Sequence, residues 1–240
     1  PGGKLWLSGE KNEGIKTSVK QACALFGDRT NAEKHGVCYR ASIQLINLQP
    51  KPLDDKQYQA IRLIEPGQGR SFFSKPGIFG WDKIDRGSAF LIGYLPQFLA
   101  RYQTAPTSLL DLGCGYGYLS CEASQYGFSY ISGTDNNAAA LMAAENNFLR
   151  LLNVEYQVIA ANVGDQLEQR FDTILCNPPF HQGFAMDNDL GVRFLQASAR
   201  LLAIAGQALF VVNTFIPLEH KAKSHFAQVD VLANNGSFKL

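Results

Sequence analysis

The sequence predicts an α/β fold in which a mostly parallel sheet carries helices on both faces. From residue 106 onwards, short apolar runs typical of buried strands alternate with helical patterns. A glycine-rich turn at 113–117 joins the first of these strands to a helix. At 177–180 the sequence Asn-Pro-Pro-Phe ends another strand, because proline has no N–H to donate to a sheet. The strand therefore ends at the edge of the sheet where the carboxyl ends of the strands lie. Open parallel sheets bind ligands at this edge, so the pattern also indicates where a binding site lies.

Residues 1–50 form a separate segment in this interpretation. The pattern predicts a strand at 4–9, a helix at 15–26 and a second strand at 36–43. No glycine-rich nucleotide turn joins them, so we interpret this segment as the tail of a second α/β domain. The stretch 49–52 resembles a linker. We therefore predict two domains, at 1–50 and 51–240.

The larger domain, 51–240, carries the alternating pattern. A strand is predicted at 58–64, an aromatic loop at 72–82 and a helix that opens at Asp85. The rest predicts strands at 108–113, 130–135, 156–161, 171–176 and 208–213, helices at 117–126, 137–152 and 192–203, and a closing hairpin at 229–233 and 237–240. Repeated alternation of strand and helix favours parallel strands joined by crossover helices.

Composition and charge narrow the class of protein. The sequence has no signal-peptide pattern and no apolar run long enough to span a bilayer, so we expect a cytoplasmic protein without a membrane partner. Residues 1–105 carry an excess charge of +6 and the remainder −5, a mild indication of a polyanionic partner. The cysteines and histidines show no ligand spacing, so we predict no metal site.

The glycine-rich turn follows an acid, Asp111, and comprises Gly113, Cys114, Gly115, Tyr116 and Gly117. The Asp111 carboxylate offers no favourable interaction to a phosphate, whereas it attracts an ammonium group. Asp135 ends the next strand, near the spacing at which an acid binds a ribose diol. No Lys-Ser or Lys-Thr follows the glycines, which excludes a P-loop. A ligand with a ribose and a cationic amino-acid end but no phosphate is S-adenosylmethionine. NAD is the main rival, and a glycine turn with two solvated acids is the alternative without a function.

These motifs resemble a known family. The stretches 111–117, 133–135 and 177–181 look like class I S-adenosylmethionine-dependent methyltransferases of the Asn-Pro-Pro-aromatic type. More narrowly, the chain is similar to the bacterial 16S ribosomal RNA guanine-N2 methyltransferase C family at 9–14, 76–79, 85–88, 161–163 and 177–183. The resemblance covers nearly the whole chain. It implies a Rossmann-like, doubly wound, mostly parallel sheet of seven strands, and it implies that 1–50 is the C-terminal remnant of a degenerate methyltransferase-like N-terminal domain.

The catalytic hypothesis concerns Asn177, Pro178, Pro179 and Phe180. Methyl transfer to an exocyclic amine is difficult because the amine lone pair is delocalised into the base. We expect the Asn177 side-chain oxygen and the Pro178 carbonyl to accept hydrogen bonds from the amine and aim its lone pair, while Phe180 stacks on the base. The predicted cofactor-binding residues are Asp111, Gly113, Cys114, Gly115, Asp135, Asn136, Asn162 and Asn177. Among these, Asn162 is placed beside the adenine by the resemblance.

The resemblance also implies the substrate and the partner. It indicates methylation of guanine N2 in 16S ribosomal RNA, with the small ribosomal subunit as partner and a monomer as the working form. Large-subunit ribosomal RNA, adenine N6 and protein glutamine N5 remain alternative acceptors, because each presents a similar nitrogen to an Asn-Pro-Pro-aromatic site. A nonenzymatic RNA-binding module is the alternative from a different class.

Overall fold

The computed structural model describes residues 3–47, 57–65, 69–179 and 188–240. The chain divides into two compact units, Pro1–Gln57 and Tyr58–Leu240. The predicted linker at 49–52 and the predicted stacking residue Phe180 lie outside the described residues. The interpretation of 1–50 as a domain remnant stays a prediction. Of the helices described, none has the length and apolar character needed to cross a membrane.

The first unit is a three-stranded antiparallel sheet with one helix. It contains β1 (Lys4–Glu10), α1 (Ile15–Phe26), β2 (Glu33–His35) and β3 (Cys38–Gln44), with the strand order β1-β3-β2. The helix buries Ile15, Val19 and Cys23 in a cluster with Ala41 and Ile43 of β3. The sequence pattern identified β1, α1 and β3. It missed β2 because all three residues of that strand are exposed and polar, so no apolar alternation marks it.

The second unit is built around a parallel sheet. Its elements are β4 (Arg62–Ile64), β5 (Phe72–Ser74), α2 (Arg86–Leu99), β6 (Ser108–Leu112), α3 (Tyr118–Ala123), β7 (Tyr130–Asp135), α4 (Ala138–Leu151), β8 (Glu155–Ala160), β9 (Phe171–Cys176), α5 (Asn188–Leu201), β10 (Leu202–Phe210), β11 (Val212–Asn213), α6 (Leu218–Ala222) and β12 (Phe238–Lys239). The central sheet has the order β10-β9-β6-β7-β8, and every neighbouring pair in it is parallel.

The expected number of seven strands is wrong, because the central sheet has five strands among the described residues. Instead of extending that sheet, β11 pairs with β12 in a separate antiparallel pair. Leu232 and Ala233 do hydrogen-bond to Leu240, but residues 229–233, predicted as one strand of the closing hairpin, do not form a regular strand. An ion pair between Arg101 and Asp230 ties this segment to the region after α2. The predicted hairpin segments, 229–233 and 237–240, therefore add no strand to the central sheet.

Two apolar layers cover the two faces of the sheet. On β6, Leu109 packs into the cluster that contains the helices α2, α3 and α4, whereas Leu110 and Leu112 pack into the cluster of α5. This alternation confirms the predicted α/β fold with helices on both faces. The chain runs from β6 outwards through β7 to β8 and, in the other direction, from β9 to β10. The strand order therefore reverses between β6 and β9, which opens a crevice at their carboxyl ends.

The hairpin of β4 and β5 replaces the first part of the predicted aromatic loop. A fully buried asparagine of α4, Asn147, holds it in place. The Phe73 N–H donates to Asn147 Oδ1 at 2.7 Å, and Asn147 Nδ2 donates to the carbonyls of Phe73 at 2.9 Å and of Tyr116 at 2.7 Å. Because Tyr116 belongs to the glycine-rich turn, one side chain fixes the hairpin beside that turn.

Candidate active site

A cavity of about 260 Å³ lies at the carboxyl ends of the sheet strands. It is lined by residues of the glycine-rich turn, of the end of β7, of the segment after β8 and of the end of β9. A larger cavity, of about 490 Å³, lies along β10 and is lined by residues 226–232, but it holds none of the predicted site residues. The smaller cavity is therefore the candidate site, because three separate motifs of the sequence meet there.

Most of the predicted site residues line this cavity. They are Gly113, Cys114, Gly115, Asp135, Asn136, Asn162, Asn177 and Pro179. Asp111 and Pro178 are buried and do not line it. Phe180, which is outside the described residues, keeps its predicted stacking role without a structural test.

The glycine-rich turn has φ angles that residues with a side chain rarely adopt. Gly113, Gly115 and Gly117 have φ values of 84°, 56° and 87°, in the left-handed region. The N–H groups of Gly113 and Cys114 both donate to the Thr134 carbonyl, at 2.8 and 2.9 Å, which links the turn to β7. At Gly117 an added Cβ would lie 2.6 Å from the Phe148 ring. Close packing, as well as the backbone angle, requires glycine there.

The carboxylate of Asp135 is held at the cavity by backbone donors. Its Oδ2 accepts the N–H of Gly115, and its Oδ1 accepts the N–H of Asn137, both at 2.9 Å. Asn137 caps α4 by accepting the Ala139 N–H at 2.9 Å, and its Nδ2 donates to the Gly77 carbonyl at 3.0 Å. Asn137 is thus the N-cap of α4, and it also ties the loop after β5 to the rim of the cavity. No local sequence pattern indicates this tether.

Asp111 does not line the cavity, and its carboxylate is hydrogen-bonded to α3. Its carboxylate is fully buried, and Oδ2 accepts hydrogen bonds from the Ser120 N–H at 3.1 Å and the Ser120 hydroxyl at 2.8 Å. Oδ1 has no hydrogen-bond partner among the described residues. Burial raises the pKa of Asp111 to about 7, against the lowering effect of the Ser120 hydrogen bonds. The structure therefore shows Asp111 bonded to the helix that follows the turn.

The cysteines near the site are buried thiols. Burial is the main cause that raises the pKa of Cys114 and of Cys176 well above the ordinary thiol value. The Cys176 thiol donates to the Leu112 carbonyl at 3.3 Å. A neutral, buried thiol is a packing group rather than a nucleophile. Among the described residues, no cluster of three or more His, Cys, Asp or Glu side chains could hold a metal ion.

Asn177 is held by side chains from the beginning of α2. Its Nδ2 donates to Asp85 Oδ1 at 2.7 Å and to the Ser88 hydroxyl oxygen at 2.9 Å. Asp85 is also the N-cap of α2, since its Oδ1 accepts the Ser88 N–H at 2.9 Å. Both N–H groups of the Asn177 amide are therefore used inside the protein. The remaining polar atom of the amide is the oxygen, which is a hydrogen-bond acceptor.

The turn after β8 completes the rim. Asn162 is exposed and lines the cavity, and its N–H donates to Asp165 Oδ1 at 2.7 Å. Val163 has a φ of 54°, which is unusual for a β-branched residue. Arg200 of α5 holds this turn by donating to the Gly164 carbonyl at 2.7 Å. Because Arg200 lies far along the chain, sequence patterns could not connect it with the site.

Aromatic rings form part of the cavity wall. Phe79, in the loop after β5, lines the cavity although 62% of its surface is exposed. Tyr116 is buried, and its hydroxyl donates to the Lys83 carbonyl at 3.3 Å. Phe194 of α5 lies against Gly113, 3.4 Å from where a Cβ would stand. The site therefore combines one polar edge of acids and amides with flat apolar surfaces that suit a purine ring.

Comparison with known proteins agrees with this geometry. Residues 69–240 match the family model of the methyltransferase small domain. The chain is 31% identical over 242 residues to the ribosomal RNA small subunit methyltransferase C of Hahella chejuensis, covering 98% of this chain and 67% of that protein. It is also 31% identical over 254 residues to the Pseudomonas aeruginosa protein of the same name, covering 100% of this chain and 70% of that one.

Solved structures give the same result. The chain superposes on the T. thermophilus 16S rRNA N2 G1207 methyltransferase (RsmC), in complex with AdoMet and guanosine, with a TM-score of 0.83 and 27% identity. That match covers 99% of this chain and 63% of the other. A ribosomal protein L11 methylase from Lactobacillus delbrueckii shares the fold, with a TM-score of 0.52 and 17% identity over 74% of this chain and 94% of that one. The chain thus spans about two thirds of the length of the relatives that it matches.

Proposed function

Because the chain belongs to the methyltransferase small domain family, we propose that it transfers a methyl group from S-adenosylmethionine to guanine N2 in 16S ribosomal RNA. One observation carries this proposal: the Asn177 amide is fixed at the cavity with its nitrogen engaged, and its oxygen accepts no hydrogen bond from the part of the chain that the structure describes. An amine is the group that such an oxygen would orient. The names of the relatives and the guanosine bound in the T. thermophilus enzyme support guanine in small-subunit RNA as the acceptor.

The cavity residues fit S-adenosylmethionine. Asp135 presents a carboxylate that its two backbone donors hold in place, as a ribose diol requires. A Cβ at Gly115 would meet no atom within 4 Å, so the missing side chain leaves open space beside the turn for a ligand. We propose that Gly113, Cys114, Gly115, Asp135, Asn136, Asn162 and Asn177 contact the cofactor.

Asp111 is the predicted cofactor residue whose geometry differs from the expectation. Its hydrogen bonds go to Ser120, and it does not line the cavity. We propose that it supports cofactor binding by holding the glycine-rich turn against α3. Direct contact with the ammonium group of the cofactor stays a prediction.

The chemistry needs little more than positioning. Bound S-adenosylmethionine supplies a methyl group on a sulfonium sulfur, and transfer forms the N–C bond, leaves the C–S electron pair on sulfur and releases one proton from the nitrogen to water. Asn177 Oδ1 and the Pro178 carbonyl accept hydrogen bonds from the two N–H groups of the amine. These hydrogen bonds turn the nitrogen lone pair towards the methyl group. Pro178 and Pro179 have no N–H and restricted φ angles, so the backbone at this point is stiff. Phe180 stacks on the base in this proposal, and the base reaches the pocket unpaired or flipped.

We propose a cytoplasmic monomer that acts on ribosomal RNA without a membrane partner. Residues 1–50 are the remnant of a noncatalytic domain in this proposal, and 51–240 is the catalytic domain. Light scattering of the protein alone and with small ribosomal subunits tests the monomer, because a defined dimer in both samples contradicts it.

Methyl transfer to isolated ribosomal subunits tests the proposed function. Labelled S-adenosylmethionine is incubated with the protein and with small or large subunits, and the RNA is then digested to nucleosides. We expect labelled N2-methylguanosine from small subunits alone. Labelled N6-methyladenosine, label in protein, or label confined to large subunits would each support one of the alternative acceptors. A protein that binds RNA and does not bind the cofactor at high micromolar concentration would be an RNA-binding module.

A further inference from the structure

We propose that Asp85 and Ser88 are positioning residues, which hold the Asn177 amide so that its oxygen faces the target amine. This inference rests on the proposed function, because it assigns a role in methyl transfer to groups that do not touch the reacting atoms. It concerns a connection across 92 residues of sequence, between the start of α2 and the end of β9.

The chemistry of the partners specifies which way the amide points. A carboxylate can only accept hydrogen bonds, and Asp85 Oδ1 lies 2.7 Å from the amide nitrogen. A flipped amide would bring its oxygen against that carboxylate oxygen, and two acceptors at this distance repel each other. The Ser88 hydroxyl can donate or accept, so it strengthens the contact at 2.9 Å but cannot select the orientation alone. Asp85 is therefore the group that fixes the direction of the amide.

Helix capping alone does not require these side chains. Asp85 caps α2 by accepting the Ser88 N–H, and asparagine caps helices about as well as aspartate does. The cap also uses only the backbone of Ser88, whereas the Ser88 hydroxyl is directed at Asn177. An acceptor-only carboxylate and a hydroxyl are thus more than the cap needs, and the second partner of both is the Asn177 amide.

The packing around Asp85 supports the same conclusion. A Cβ at Gly87 would stand 3.1 Å from Asp85 Oδ1 and 3.3 Å from a methyl group of Val211. The Val211 N–H in turn donates to the carbonyl of Cys176 at 3.0 Å, one residue before Asn177. The start of α2 and the end of β9 are therefore packed against the same residue, which limits the movement of the carboxylate relative to the amide.

The variant Asp85→Asn tests this role. It keeps the shape of the side chain, but the oxygen that caps α2 is the same Oδ1 that faces Asn177. An asparagine can turn its NH₂ group towards Asn177 at the expense of the cap, and so permits the flipped orientation. We expect the single-turnover rate at saturating cofactor to fall about 10- to 100-fold, the effect of misplacing a reacting group. We expect the Kd for S-adenosylmethionine to stay close to that of the wild type and the thermal midpoint to fall by no more than the loss of a helix cap explains. Ser88→Ala is expected to lower the rate less than Asp85→Asn does.

Asp172→Asn is the matched control. The carboxylate of Asp172 accepts the N–H groups of Thr107 and Ser108, at 2.8 and 3.0 Å, and it does not line the cavity. The control therefore removes a carboxylate that holds backbone without touching the Asn177 amide. We expect it to change stability and to leave the single-turnover rate at the wild-type value. A rate loss equal to that of Asp85→Asn would overturn the positioning role, because any lost carboxylate would then have the same effect.

An exchange of the two side chains gives a result that a purely structural role would not. In Asn177→Asp, two carboxylates approach each other and the acceptor is displaced. Adding Asp85→Asn restores an N–H facing a carboxylate, whose second oxygen can then accept the target amine. We expect the double variant to transfer methyl groups about 10-fold faster than Asn177→Asp alone. No gain in the double variant, or a Kd effect without a rate effect in Asp85→Asn, would overturn the proposal.

A spectroscopic measurement separates this inference from the proposed function. The side-chain NH₂ signals of Asn177, assigned through Asn177→Ala, report the hydrogen bonds to Asp85 and Ser88 without any substrate. We expect their hydrogen exchange to be slow in the wild type and faster in Asp85→Asn. A wild type that methylates no guanine would sink the proposed function, and unchanged exchange in Asp85→Asn would sink the positioning role whatever the substrate.

Discussion

The two halves of the cavity are held in different ways. In the half around Asp135, which is proposed to bind the cofactor (the cofactor half), Asp135 is fixed by backbone N–H groups that include Gly115, 20 residues away in sequence. In the half around Asn177, which is proposed to bind the target amine (the acceptor half), Asn177 is fixed by the side chains of Asp85 and Ser88, 92 and 89 residues away. The first half therefore depends on backbone shape, and so on glycine. The second depends on the identity of three side chains, so the two halves are expected to fail in different ways when they are mutated.

The largest effect is expected in the acceptor half, at Asn177. Asn177→Ala removes the acceptor oxygen and should lower the rate of methyl transfer by about 1,000-fold, the scale of losing one preorganised polar group. Asn177 is one of seven proposed cofactor contacts, so the Kd for S-adenosylmethionine should rise by no more than a few-fold while the glycine-rich turn and Asp135 are intact. Quenched-flow single turnover and calorimetric titration measure the two quantities. Full activity of this variant would end the catalytic hypothesis.

In the cofactor half, a substitution that disturbs the backbone of the glycine-rich turn should lower the stability of the protein. Gly117→Ala places a Cβ 2.6 Å from the Phe148 ring at a φ of 87°. Overpacking of this kind costs about 1–3 kcal/mol of stability, and the left-handed backbone adds about 1–2 kcal/mol. Urea unfolding measures the loss. Gly93→Ala, in an exposed helical position where a Cβ meets no atom within 4 Å, is the control and should stabilise α2 by up to about 1 kcal/mol.

A side-chain change in the cofactor half should affect affinity and leave the chemical step intact. Asp135→Asn keeps an acceptor for one backbone N–H but loses the charge and the second acceptor. We expect the Kd for S-adenosylmethionine to rise about 10- to 100-fold, as loss of a hydrogen bond to a charged group implies. The single-turnover rate at saturating cofactor should stay within a few-fold of the wild type. A large rate loss at saturation would contradict the separation of the two halves.

The smallest effect expected is a pH dependence of stability. It arises from Asp111, the buried carboxylate that accepts hydrogen bonds from Ser120 of α3. Because burial raises its pKa from 3.8 to about 7, the folded state disfavours the charged carboxylate. Below about pH 4 the group is protonated in both states and has no effect. As pH rises from about 4 to about 7, the unfolded chain gives up this proton first, so the carboxylate progressively lowers the stability of the folded protein.

Asp111→Asn should remove that dependence. The free energy of unfolding of this variant is measured by urea titration across this pH range. It should exceed that of the wild type by an amount that grows as pH rises. A constant difference between the two proteins from pH 4 to pH 7 would show that the carboxylate is not destabilised by burial. Measured on the same variant, a large rise in the Kd for S-adenosylmethionine would support direct contact between Asp111 and the ammonium group.

The same contrast explains how much the sequence could predict. The strands β6, β7 and β9 were identified because buried parallel strands are continuous apolar runs. The position of Gly113 and Asp135 at the cavity could be predicted because they directly follow or end such strands. Local pattern could not reveal that Asn147 of α4 anchors the hairpin, or that Asp85 holds Asn177. These contacts join residues far apart in the chain, and a polar side chain in a helix gives no periodic sign of its partner. The number of sheet strands was overestimated because it came from the family resemblance, whereas β11 and β12 form a separate antiparallel pair.

The most direct test of the two-half arrangement is a paired measurement on Asn177→Ala and Asp135→Asn. Each variant is saturated with S-adenosylmethionine, its Kd is determined, and the single-turnover rate on small ribosomal subunits is then recorded. We expect Asn177→Ala to lower the rate and largely keep the affinity, and Asp135→Asn to lower the affinity and keep the rate. Loss of the same quantity in both variants would contradict it.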